Sequence, residues 1–89
     1  MGDHYIPKNL EEAIEYLNNE LSQEDKDYLI EHGAISAHHS LGRWIRNNWN
    51  LWNGESEIKE DLHKLGYMHP DDMSNYIIEE FIKYLKKLK

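Results

Sequence analysis

The chain has no cysteine. That excludes disulfides and thiolate chemistry, and it suits a reducing compartment. No apolar run approaches the ~18 residues that a membrane span requires. The opening MGDHYIPKNLEE is polar and acidic, without the apolar core of a signal peptide. Position 6 is Ile6 rather than Ser or Thr, so Gly2 does not open a myristoylation signal. No stretch alternates apolar and polar residues with period two, which argues against a sheet. A nucleophile elbow and a glycine-rich phosphate loop are also missing, so nothing in the chain points to an enzyme or to a bound cofactor. These absences together predict a cytoplasmic, non-enzymatic protein that does not enter a membrane.

What is there fits one small domain. Eighty-nine residues, with 39% hydrophobic and 30% charged, describe a globular chain rather than a disordered one. A single domain over 1–89 is expected. The net charge is −7, and the four lysines of residues 83–89 contribute +4, so the rest of the chain stands at −11. An acidic body repels phosphate backbones, and a nucleic-acid partner is not expected. The lysines are cations at a helix C-terminus, where they complement the macrodipole.

Apolar periodicity and cap residues predict about five helices and no sheet. The first helix spans PKNLEEAIEYLNNEL, with Asn9 as its cap, Glu12 closing a capping box, and Leu10, Ala13, Ile14, Leu17 and Leu21 as its stripe. The second spans SQEDKDYLIEH, capped by Ser22 and ended by Gly33 in a left-handed conformation. The third runs without a break from Ala34 to Trp49 or Trp52, and Asn53 and Gly54 end it. On its wheel Leu41, Ile45, Asn48, Trp49, Ile35 and His38 face inward, while His39, Arg43, Asn47 and Asn50 face outward. Trp44 and Trp52 lie nearer the edges and Arg46 at the boundary. The fourth, SEIKEDLHKLG, is capped by Ser56 and stopped by Gly66. The fifth starts at Pro70, with Asp71 and Asp72 in its first turn, and its wide apolar arc implies several neighbours. A shared core of Leu17, Leu41, Ile45, Trp49, Ile77 and Phe81 is predicted.

The segment GRWIRNNWNLW, at Gly42 to Trp52, is followed by HPDDMS, at His69 to Ser74. Together they resemble an uncharacterised bacterial family of small, acidic, helical proteins, a domain of unknown function. LEEAIEYL at Leu10 and SQEDKDYL at Ser22 are also similar, so the resemblance spans nearly the whole chain. The chain departs from that pattern at Asn75 and Tyr76, where an aliphatic residue is usual. The resemblance implies the helical fold and no activity.

The unusual face is the third helix. Between His32 and Glu55 there is no Asp, Glu or Lys. Solvated helix faces are ordinarily filled by Glu and Lys, which are good helix formers, whereas Asn is a poor one. That composition predicts a recognition face for another protein, formed by His39, Arg43, Trp44, Asn47, Asn50 and Trp52. Arg46 is assigned to an internal ion pair with Asp71 or Asp72. Trp49 is assigned to the core, and Asn48 to a buried amide that ties down the loop after the helix. The six histidines contain no His-x-x-x-His pair, so no metal is expected. The alternatives are a small-ligand or metal site built from the Arg, Asn and His cluster, and a structural homo-oligomer, such as a homodimer, through the aromatic edge.

Overall fold

The computed structural model describes residues 5–52 and 55–88. Residues 1–4, with Gly2 and His4, lie outside the described residues, as do Lys89 and the predicted stop at Asn53 and Gly54. Five α-helices are described: α1 Leu10–Glu20, α2 Gln23–His32, α3 Leu41–Asn48, α4 Glu57–Lys64 and α5 Pro70–Lys87, with a 3-10 turn at Ala34–Ala37 before α3. There is no strand among the described residues. The composition supports this: the chain has neither valine nor threonine, two of the residues that favour strands.

The caps form as the local chemistry dictates. The Asn9 side chain accepts from Glu12 N at 2.9 Å, while the Glu12 carboxylate reaches back to Lys8 N at 3.0 Å, one residue before Asn9. Ser22 Oγ accepts from Asp25 N, and Ser56 Oγ from Lys59 N. α2 ends at Gly33 with φ +82° and an extended ψ of 174°, rather than in the left-handed helical region. α4 closes in a Schellman motif: Gly66, at φ +98°, donates to His63 O and Tyr67 donates to Leu62 O.

The third helix is not continuous. Residues 34–37 wind as a 3-10 turn, 38–40 form a turn, and regular helix begins at Leu41. Serine chemistry accounts for part of the break. Ser36 Oγ donates to Gly33 O at 2.6 Å and Ser40 Oγ to Ala37 O at 3.4 Å, bonds that compete with helical ones. The interruption shifts the register, so one continuous wheel misplaces residues on both sides of it. Ile35, expected inside, is 84% exposed, and Leu41 is only half-buried.

Ala13 and Leu17 of α1, Leu29 of α2, Ile45 of α3 and Ile58 and Leu62 of α4 close around the inner face of α5, with Trp49 and Leu51 just beyond α3. That face carries Met73, Ile77, Ile78, Phe81, Ile82 and Leu85, and α5 packs on α1, α2 and α3 at once. Of the six predicted core residues, Leu17, Ile45, Trp49, Ile77 and Phe81 are fully buried. A Cα radius of gyration of 12.1 Å matches the ~12 Å expected for one compact domain of this length.

Candidate functional site

The most constrained polar group is Arg46, 5% exposed on the inner side of α3. Its guanidinium joins three parts of the fold. Nη1 donates to Ser74 Oγ at 2.7 Å, and Nη2 donates to the His38 carbonyl at 3.0 Å. Nε lies 3.4 Å from Asp71 Oδ1, an ion-pair distance, but its N–H is not aligned for a hydrogen bond. Ser74 Oγ in turn donates to Asp71 O at 3.1 Å. The arginine thus pins the turn before α3 to the first turn of α5. Asp71 is its carboxylate partner; Asp72 is exposed and does not join.

Two neighbours make room for this clamp. A Cβ on Gly42 would stand 3.0 Å from Arg46 Nη1 and 3.3 Å from Ala37 O, so the guanidinium passes where a side chain would be. His69 Nδ1 accepts from Asp71 N at 3.0 Å and caps α5, which Pro70 then starts with its preset φ. Gly42 and Arg46 belong to the first sequence segment, His69, Pro70, Asp71 and Ser74 to the second. Their separate chemistries form one structural unit.

The expected recognition residues divide into three groups. His39, Arg43, Asn47 and Asn50 are all exposed, and the last three, spaced by four and three residues, follow one face of α3 and its end. Arg43 has no hydrogen bond or ion pair among the described residues. Asn50 has a backbone reason as well: it sits at φ 56° past the end of α3, where Leu51 N bonds back to Arg46 O, and Asn tolerates that conformation better than most residues. Trp44 is half-buried. It stacks on Tyr16, with centroids 6.2 Å apart, and Tyr16 stacks on Tyr5 at 5.1 Å. Trp52 turns towards the start of α5, edge-on to His69 at 6.1 Å and 47% exposed.

Asn48 is corrected. It is exposed, and its amide donates to Trp44 O at 2.8 Å within the helix. The tie across the following loop is Ser56, whose hydroxyl donates to Trp49 O at 3.1 Å while capping α4. Trp49 is fully buried, and its indole N–H has no hydrogen-bond partner among the described residues. His38 is half-buried, and it is its backbone carbonyl that the clamp uses.

Sequence reasoning missed the groove beside Trp44. A cavity of about 320 Å³ opens between α2 and α3, walled by Leu21, Tyr28, Ala37, Leu41 and Trp44, with Asp25 at its edge. Tyr28 is 53% exposed there. The signal lay in Tyr28, an aromatic outside the apolar stripe of a helix that buries only Leu29. Among the described residues no three His, Asp or Glu side chains stand close enough to hold a metal ion. Nor is any described helix long and apolar enough to cross a membrane.

Fold and site define a small all-α protein in which a buried arginine clamp lies under an open polar helix face. The chain belongs to the family described as Domain of unknown function (DUF6794), whose model matches residues 6–85. Neither the curated proteins nor the solved structures contain a match.

Proposed function

We propose that this chain is a non-enzymatic, cytoplasmic module that binds another protein across α3. The partner places an apolar side chain in the groove walled by Tyr28, Leu41 and Trp44 and a carboxylate or carbonyl on Arg43. The observation that carries this reading is Arg43. It is an exposed guanidinium without a partner among the described residues, in an acidic chain, next in sequence to a half-buried tryptophan that walls an apolar groove. Arginine and tryptophan are the residues over-represented where binding energy concentrates. An arginine kept for solubility or helix pairing would have a Glu or Asp one turn away, and none lies between His32 and Glu55.

The test places a photo-crosslinking amino acid at Asn47, on the open face, and at Lys64, on α4, in cells that naturally express the chain. A discrete adduct with one protein is expected from position 47 and not from 64. It should vanish in Arg43→Ala and in Tyr28→Ala, while the unfolding free energy of Arg43→Ala stays within the change usual for a surface site, about 0.5 kcal/mol. Identical adducts from both positions, or an adduct indifferent to both substitutions, overturns the reading.

A further inference from the structure

A second cavity, also about 320 Å³, lies on the far side of α5's first turns, between them and the turn after α4. Its wall is an aromatic pair: Tyr67 and Tyr76 stack with centroids 4.4 Å apart and planes 25° apart, each half-buried against the core. Its polar groups are Asp72, Asn75 and Glu79, and no Lys or Arg lines it. The Asn75 amide donates one of its two hydrogens to Glu79 Oε1 at 2.5 Å, and the Glu79 carboxylate keeps a second oxygen. Asp72 has no hydrogen bond or ion pair among the described residues. Partial burial first, then the Glu80 carboxylate, raises the Tyr76 hydroxyl above its ordinary value, so the ring keeps its neutral form. Lys83, one turn beyond Glu79 on α5, is engaged with Glu80 at 2.8 Å.

We infer that this cavity is a binding site for an organic cation, an alkylammonium or guanidinium group, held by the outer face of the Tyr67–Tyr76 pair and the carboxylates of Asp72 and Glu79. The aromatic pair supplies what the acids alone do not. A ring face attracts a cation through its quadrupole and also accepts the apolar surface of an alkylated one. Asp72 in the first turn of α5 is partly offset by the helix dipole, whereas Glu79, two turns on, lies beyond that offset. The two carboxylates disfavour an anion, and among the described residues no third His, Asp or Glu stands close enough to complete a metal site with them.

The experiment follows the ring-proton NMR signals of Tyr67 and Tyr76 while the full chain is titrated with tetramethylammonium, with the blocked amides of lysine and arginine, with choline, and with the neutral carbon isostere of choline. Saturable shifts confined to these rings are expected at millimolar concentration from at least one cation, with the neutral isostere weaker than choline by about tenfold or more. Tighter binding of the lysine or arginine amide assigns the cation to a protein side chain; tighter binding of tetramethylammonium or choline assigns it to a free quaternary ligand. Tyr76→Leu, and separately Asp72→Asn with Glu79→Gln, should each remove the shifts of the binding cation. The second variant changes only exposed groups and keeps the acceptor for Asn75, so it carries the test if Tyr76→Leu fails to fold. No saturable shift from any cation, equal binding of the neutral isostere, or undiminished binding by the carboxamide variant overturns the inference.

Discussion

Arg46 and Ser74, twenty-eight residues apart in sequence, meet at 2.7 Å in the interior, where the serine hydroxyl accepts from the guanidinium and passes its own hydrogen to Asp71 O. The hydroxyl is therefore both the acceptor for a buried charge and part of the first turn of α5. Ser74→Ala leaves a guanidinium hydrogen buried and unsatisfied, at an expected cost of about 1–3 kcal/mol. Arg46→Ala should cost about 2–3 kcal/mol. That is below the ~3–5 kcal/mol of a fully buried pair, because Asp71 can turn to water. Arg46→Lys should not rescue it, since one ammonium cannot reach Ser74, His38 and Asp71 in the same fork. Urea unfolding of the three variants measures this.

Gly42→Ala should lower stability, against the usual direction. Alanine in place of glycine within a helix ordinarily gains up to ~1 kcal/mol. Here the added methyl meets the pinned Arg46 Nη1 at 3.0 Å and the Ala37 carbonyl at 3.3 Å. A loss of roughly 1 kcal/mol or more is expected from such crowding. In an Arg46→Ala background most of the loss should disappear, which a double-mutant cycle reads directly.

The tryptophans should separate by mutation. Trp49→Ala empties a fully buried site and should cost about 3–5 kcal/mol. Trp49→Phe should cost much less, because it also removes an indole N–H that has no partner among the described residues. Trp52→Ala, at a site 47% exposed, should change stability by less than about 1 kcal/mol. Thermal melts of the three variants would expose an error if Trp49→Ala and Trp52→Ala fell together.

His69→Ala removes the cap of α5 and should cost about 1 kcal/mol, while His69→Asn, whose side-chain oxygen can accept from Asp71 N, should keep most of it. Amide exchange at Asp71 and Asp72 would show the first turn fraying in the alanine variant and not in the asparagine one.

Most of the fold could be read from the sequence because its signals are local. Asn9, Ser22 and Ser56 cap where their spacing to the following stripe says they should, and Pro70 begins a helix as its fixed φ requires. The arc of α5 was readable for the same reason. The break at 38–40 was not, because it depends on a side chain from α3 reaching back to the His38 carbonyl and on two serines bonding to their own turns. Once the register slipped, Ile35 and Asn48 could not be placed by a continuous wheel. An ion pair of Arg46 with Asp71 or Asp72 was readable from charge and geometry, but the choice of Asp71 and the roles of Ser74 and Gly42 depended on the distance between helices, which no single helix encodes. The groove at Trp44 and the Tyr67–Tyr76 pair depend on how helices and turns meet, and residue spacing alone does not give that.

The tryptophan environments also make the chain its own optical instrument. The Trp49 indole, fully buried and without a hydrogen bond among the described residues, should emit at the blue end of the tryptophan range and report on the interior. Trp44, lying nearly parallel to Tyr16 with 9° between the planes, should change its near-ultraviolet circular dichroism when a ligand enters the α2–α3 groove. Trp52, edge-on to the His69 ring at 6.1 Å, should change its emission when the α5 cap loosens and that ring moves away. Single-tryptophan variants with phenylalanine at the other two positions would give separate readouts of core melting, occupancy of the groove, and the state of the α5 cap, with no dye attached.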